Sequence, residues 1–176
     1  MKAIPWEVDS KKFSSAYVAG FLDGDGSIVA TLESRPERRR FPYRVRLKIN
    51  FTQHSRHAQL IEKLQNFLGG IGSIRIVSSH NLVELVVQKR EEVEAILRQL
   101  LPHIILKERQ VKLMLEAIAI YKKSKVNVRS SLMEKEFEAI VKIVKAIRSL
   151  NSHTGGKKLF DPVTTFRMSE RAVEMF

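Results

Sequence analysis

No cysteine occurs among the 176 residues, which removes disulfides, thiolate zinc sites and cysteine nucleophiles together. Long apolar runs are missing too: none approaches the roughly 18–20 residues that a membrane-crossing helix needs. Met1 to Lys12 has no apolar segment of the kind found in a secretory signal. These absences lead us to expect an intracellular protein, in the cytoplasm or an organelle, with no membrane partner. Acids are scarce as well. Nineteen Asp and Glu face 31 Lys and Arg, and the net charge of +12 makes a polyanion the default partner. The chemistry left open is that of hydroxyls, carboxylates, histidines and hard metal ions.

What is present is a regular succession of periodicities. Ser14 or Ser15 can cap a helix that runs to about Gly24. Ser27 to Glu33 alternates as a strand, with Ile28, Ala30 and Leu32 on one face and Val29, Thr31 and Glu33 on the other. Pro36 and Pro42 break the next stretch into a loop. Tyr43 to Thr52 is the second strand, and Arg56 to Leu68 has helical spacing that stops at Gly69-Gly70. Strands near Ser73 to Ser78 and Leu82 to Gln88 follow, then a helix from Glu91-Glu92 that closes before Pro102. Lys107 to Lys123 and Met133 to Leu150 are amphipathic helices. This order predicts an α+β fold: an αββαββα core with a four-stranded antiparallel sheet covered by helices on one face, plus C-terminal helices. No linker divides it, so one domain over 1–176 is expected, with its core at about 14–150 and a C-terminal extension at 151–176.

Charge is concentrated on one strand face. Between Arg35 and Lys48 there are seven basic residues and one acid, Glu37. Side chains on a strand alternate, so Arg44, Arg46, Lys48 and Asn50 share a face while Val45, Leu47, Ile49 and Phe51 line the other. Arg75 and Gln88 can extend the polar face on later strands. A solvated sheet surface would also be polar, but it would interleave acids with bases. Arg, Asn and Gln are the side chains that pair bidentately with guanine and adenine edges, so the face is expected to bind nucleic acid.

The stretch "VAGFLDGDGSI", Val18 to Ile28, carries the chemistry. A helix ends in unpaired carbonyls bearing roughly half a negative charge, so Asp23 and Asp25 there are repelled by about 0.3–1 kcal/mol each unless something positive is nearby. A tight helix-to-strand turn accounts for the glycines. A calcium loop beginning at Asp23 fails, because Ile28 and Ser34 stand where it needs glycine and glutamate. A hard divalent cation held by few carboxylates, backbone and phosphate oxygens fits both the acids and the basic face.

The same stretch resembles the motif of the LAGLIDADG homing endonucleases, intron- and intein-associated enzymes that cleave long DNA sites. The order of elements that follows is similar to the family core over about Ser14 to Leu150. The resemblance implies that the motif helix packs against a second copy through Ala16, Ala19, Gly20 and Asp23 at a dimer interface. It implies Asp25 and the Gly24 carbonyl as metal ligands, Gln53 as the polar residue that orients attacking water, and Lys107 as the basic residue near the scissile phosphate. Arg56 and His57 remain alternatives for a further basic residue. Only one motif occurs in the chain, so a homodimer on a pseudo-palindromic duplex is expected. Thr31, Glu33, Arg35, Arg44, Arg46, Lys48, Asn50, Arg75, Val77, Glu84, Val86 and Gln88 become candidates for contact with bases or phosphates in the major grooves, and Lys157 and Lys158 for contact with the DNA backbone.

The implied function is a sequence-specific double-strand break with short 3′ overhangs, made with Mg2+. Mn2+ would substitute, and Ca2+ would support binding without cleavage. Two alternatives share the residues. An intron RNA-splicing maturase would use the basic surface on intron RNA. A non-catalytic DNA-binding regulator would use Asp23 and Asp25 only as turn residues.

Overall fold

Ser14 opens the first helix by accepting a hydrogen bond from the Tyr17 N–H at 3.2 Å, the bond expected of a serine in extended backbone before a helix. The structure is a computed structural model that describes residues 12–35, 43–124 and 134–151. Its elements are α1 (Ser15–Gly24), β1 (Gly26–Ser34), β2 (Tyr43–His54), α2 (Ala58–Phe67), β3 (Ser73–Val77), β4 (Leu82–Val87), α3 (Arg90–Leu100), α4 (Glu108–Lys123) and α5 (Glu134–Leu150). The strands form one sheet in the order β1-β2-β4-β3. The pairing is antiparallel, with Phe51 opposite Leu85 and Arg75 opposite Glu84. The α+β fold expected from the periodicities is therefore present.

Two compact units divide the chain. The first comprises residues up to Val29 and Leu47–Lys112; the second comprises Ala30–Arg46 and the residues from Leu113. In the first unit, Val18 and Leu22 of α1, Ile28 of β1, Leu47, Ile49 and Phe51 of β2, and Val83, Leu85 and Val87 of β4 are all buried. Strand alternation puts these side chains on one face, and α2 supplies Ile61 and Leu64 while packing on β4. α3 adds Val93, Ile96, Leu97 and Leu100 at helical spacing and packs on α1. In the second unit, Met114, Ala117 and Ile118 of α4 and Ile140, Val141, Val144 and Ile147 of α5 form the buried stripes. Tyr43 stacks on Phe137, with ring centroids 6.4 Å apart.

Gly26 is required by a close approach. A Cβ built on it would lie 2.7 Å from the Cα and 2.9 Å from the carbonyl oxygen of Leu22, both backbone atoms, so a side chain would force β1 away from α1. Gly69 and Gly70 both have φ of 76° and end α2, as the sequence predicted. Among the described residues, no helix is long and apolar enough to cross a membrane.

Candidate functional site

The site is built at the point where α1 ends and β1 begins, inside the first unit. The Asp25 N–H closes the helix on the Phe21 carbonyl at 3.0 Å, and the Asp25 carbonyl accepts from the Thr52 N–H at 3.4 Å. Helix end and strand β2 thus both fix the backbone of Asp25. Its carboxylate projects into solvent from an exposed residue. Gln53 donates from Nε2 to Asp25 Oδ2 at 3.2 Å, while its own Oε1 accepts from the His54 N–H at 2.9 Å. That second bond fixes which end of the amide faces Asp25. Asp25 and Gln53, each expected at the site and 28 residues apart, are therefore in direct contact.

Asp23 faces elsewhere. Its Oδ2 accepts from the N–H groups of Ile105 at 2.7 Å and Leu106 at 3.1 Å, and its Oδ1 accepts from Lys107 N–H at 3.0 Å. These N–H groups immediately precede α4, so the carboxylate caps the start of that helix. Asp23 was expected in a dimer interface; its carboxylate is engaged within its own chain.

Lys107 answers the repulsion at the end of α1. Its Nζ donates to the carbonyls of Leu22 at 2.7 Å, Asp23 at 2.5 Å and Gly26 at 2.9 Å, and stands 3.4 Å from the Gly24 carbonyl. The positive charge that the two aspartates required is this ammonium. Its burial lowers the lysine pKa below the ordinary 10.5, against the opposing pull of the Asp23 and Asp25 carboxylates. Lys107 was expected beside the scissile phosphate; here its ammonium is surrounded by backbone oxygens.

The residues fit a hard divalent cation in part. Asp25 offers an accessible carboxylate, and Gly24 offers the carbonyl least engaged by Lys107. Oxygen donors suit magnesium or calcium, but two ligands are few for ions that take six or more. No group of three or more His, Asp or Glu able to hold a metal occurs among the described residues. A complete shell therefore needs oxygens from water, a phosphate or a second copy of the chain.

The small residues of α1 do not act as one pair. Ala19 is fully buried in its own chain, at 0% exposure, so it has no surface left for a partner. Ala16 and Gly20, one helical turn apart, are exposed, and a Cβ on Gly20 would meet nothing within 4 Å. The outward stripe is therefore Ala16, Gly20 and Gly24, flanked by Tyr17 at 47% exposure.

The polar strand residues divide between the units. In the second unit, Glu33 Oε1 pairs with Arg46 Nε at 2.5 Å, and Glu33 Oε2 with Arg35 Nη2 at 3.7 Å. The hydrogen bond from Arg46 is the main cause holding the Glu33 carboxyl below its ordinary range; the Arg46, Arg35 and Arg44 charges reinforce it and partial burial opposes it. Arg44 is exposed and Thr31 is half-buried. In the first unit, Arg75 donates from Nε to Glu84 Oε2 at 2.5 Å across directly paired positions. Lys48 and Val77 are half-buried and Gln88 is exposed. Val86, expected as a contact residue, is only 2% exposed, and its register partner Asn50 only 6%; the Asn50 Oδ1 has no hydrogen-bond partner. Both were expected to be open because strand alternation assigns a face but not the depth of burial on it. Arg56 donates from Nε to His57 Nε2 at 3.1 Å, so the two alternatives for a further basic residue are bonded to one another. Lys157 and Lys158 lie outside the described residues.

Sequence comparison agrees with the geometry. The chain is 30% identical over 102 residues to DNA endonuclease I-CreI of Chlamydomonas reinhardtii, covering 58% of this chain and 60% of that protein. It is 36% identical over 111 residues to DNA endonuclease I-CvuI of Chlorella vulgaris, covering 62% and 65%. The matches thus span less than two thirds of these curated relatives. The crystal structure of I-CvuI with its DNA target in the presence of calcium superposes with a TM-score of 0.74 at 25% identity, covering 91% of this chain and 94% of that one. The sequence profile of the family described as LAGLIDADG endonuclease matches residues 18–112, from within α1 to the first turn of α4, which includes Asp23, Asp25, Gln53 and Lys107. The chain belongs to the LAGLIDADG endonuclease family.

Proposed function

We propose that this chain is a site-specific DNA endonuclease that hydrolyses phosphodiester bonds in duplex DNA with a divalent metal ion. The observation that carries the proposal is the Asp25–Gln53 contact at the solvent-facing end of the family's motif helix. The net charge of +12 supplies the long-range attraction to DNA, which is salt-dependent and largely independent of sequence.

The mechanism centres on Asp25. Its backbone is fixed by α1 and β2, so its carboxylate and the adjacent Gly24 carbonyl present two oxygen-bearing groups at a set place. Mg2+ bound there would stabilise charge developing on the phosphate and lower the pKa of bound water; Mn2+ would substitute, and Ca2+ would support binding alone. Gln53 donates to Asp25, and its amide is oriented by the His54 N–H, so it can position a water beside that carboxylate. Arg35, Arg44 and Arg46 in one unit, and Lys48, Arg75 and Gln88 in the other, offer donors for phosphates and base edges. Glu33 and Glu84 hold arginines in place until DNA competes for them.

One chain supplies one motif, hence one half-site and one strand cut. We therefore propose a two-fold homodimer, with the α1 stripe of Ala16, Gly20 and Gly24 as the place of closest approach. Two cuts offset across the duplex would leave the short 3′ overhangs that the family resemblance implies.

The test is incubation of the purified protein with a randomised duplex library in Mg2+, with sedimentation analysis of its oligomeric state. A recurrent site cut on both strands by a dimer is the expected result. Tight specific binding with no cleavage in Mg2+ or Mn2+ would overturn the proposal, as would preferential binding of structured intron RNA.

A further inference from the structure

Asp23 and Lys107 each stand at the unfavourable end of their own helix. An acid at the C-terminus of α1 and a base at the N-terminus of α4 are both repelled by the local dipole. Each side chain reaches instead to the other helix. The Asp23 carboxylate takes three N–H groups before α4, and the Lys107 ammonium takes three carbonyls at the end of α1. Exchanging the two charges between the helices turns two unfavourable placements into six hydrogen bonds. The carbonyls taken, of Leu22, Asp23 and Gly26, flank Gly24 and Asp25 on both sides, while the Gly24 oxygen is held only loosely at 3.4 Å.

We propose that the Asp23–Lys107 exchange is a positioning device that sets the Gly24 carbonyl and the Asp25 carboxylate for the metal, so that Lys107 acts through this backbone turn and not by touching the phosphate. The inference rests on the metal reading above. It differs from a phosphate-contact role in a measurable sign. If Lys107 contributed only its charge, removing it would relieve repulsion and tighten cation binding. If it holds the ligands, removing it loosens binding, as loss of a group that orients metal ligands costs about 10–100-fold in affinity.

The experiment is luminescence titration with Tb3+ in place of the divalent ion, on the protein bound to its selected duplex, with thermal unfolding confirming that each variant is folded. Lys107→Met is expected to raise the Tb3+ half-saturation about tenfold, and Lys107→Arg to recover part of the loss. Asp23→Ala and Asp23→Ser carry the same charge, but only serine can cap. Asp23→Ala is therefore expected to bind Tb3+ more weakly than Asp23→Ser, and this pair decides the matter even where Lys107→Met does not fold. Unchanged or tighter Tb3+ binding by Lys107→Met, or equal binding by the two Asp23 variants, would overturn the inference and return Lys107 to the phosphate. Wild type without Tb3+ binding, or Asp25→Asn binding as tightly as wild type, would instead overturn the metal reading, and the inference with it.

Discussion

The turn at the end of α1 and the polar face of the strands are both charged, but they are held in different ways. At the turn, Asp23 and Lys107 bond to backbone atoms, and Asp25 is fixed through its own N–H and carbonyl. On the strands, Arg46 and Arg75 are held by the side chains of Glu33 and Glu84, with the arginine side chains 36% and 53% exposed. Such exposed pairs contribute little to stability, commonly about 0–1 kcal/mol. Backbone-anchored charge stays where the fold puts it, which suits chemistry that demands fixed geometry. Side-chain pairs can exchange partners, which suits the proposed role of this surface in giving its arginines to DNA.

The largest effect that would sharpen this contrast is at Asp25. Asp25→Asn should lower single-turnover cleavage in Mg2+ by more than about a hundredfold, since on the proposed mechanism it removes a metal ligand itself and not merely a group that orients one. Stability should hardly change, because the side chain is exposed and the backbone bonds remain. Next in size is Gly26→Ala. Its Cβ meets Leu22 backbone at 2.7 Å, so thermal or urea unfolding should show a loss of about 1–3 kcal/mol, the usual cost of overpacking. An unchanged unfolding midpoint would show that the turn yields to a side chain at this position.

Arg75 offers a test of the strand face. Arg75→Ala should change preference at particular base pairs by about 1–3 kcal/mol, read by binding to a panel of singly substituted sites. Glu84→Gln should shift the same base pairs by less, because it frees the arginine without deleting it. A uniform loss over all sites would make Arg75 a phosphate contact. The smallest effect concerns Glu33. Arg46 holds its folded-state pKa below the unfolded value near 4.5, so the pair's stabilisation is present above that value. It is lost as pH falls through the lower folded pKa. Glu33→Gln should flatten this part of the acid-unfolding profile, and added salt should weaken the effect in the wild type.

Much of this was legible in the sequence. Period-two alternation located β1, β2 and β4 within one or two residues, and Gly69-Gly70 and Pro102 marked real helix ends. Asp25 came from the local motif of Val18 to Ile28, whereas Gln53, 28 residues further on, came only from the family resemblance. The exchange between Asp23 and Lys107 came from neither, because it joins residues 84 apart and depends on which helix ends meet in space. The need for positive charge near the aspartates was readable; that an ammonium already meets it was not. Burial misled at Ala19, Asn50 and Val86, since a residue's type and face say nothing about what covers it.

The most direct test uses one selected DNA site and two variants, Asp25→Asn and Arg75→Ala, with binding measured in Ca2+ and cleavage in Mg2+. Crossed losses are expected: Asp25→Asn binds the site like wild type and does not cut it, whereas Arg75→Ala binds it more weakly yet still cuts once bound. Asp25→Asn cutting at the wild-type rate, or both variants losing binding and cleavage in equal proportion, would contradict the division of labour between the turn and the strands.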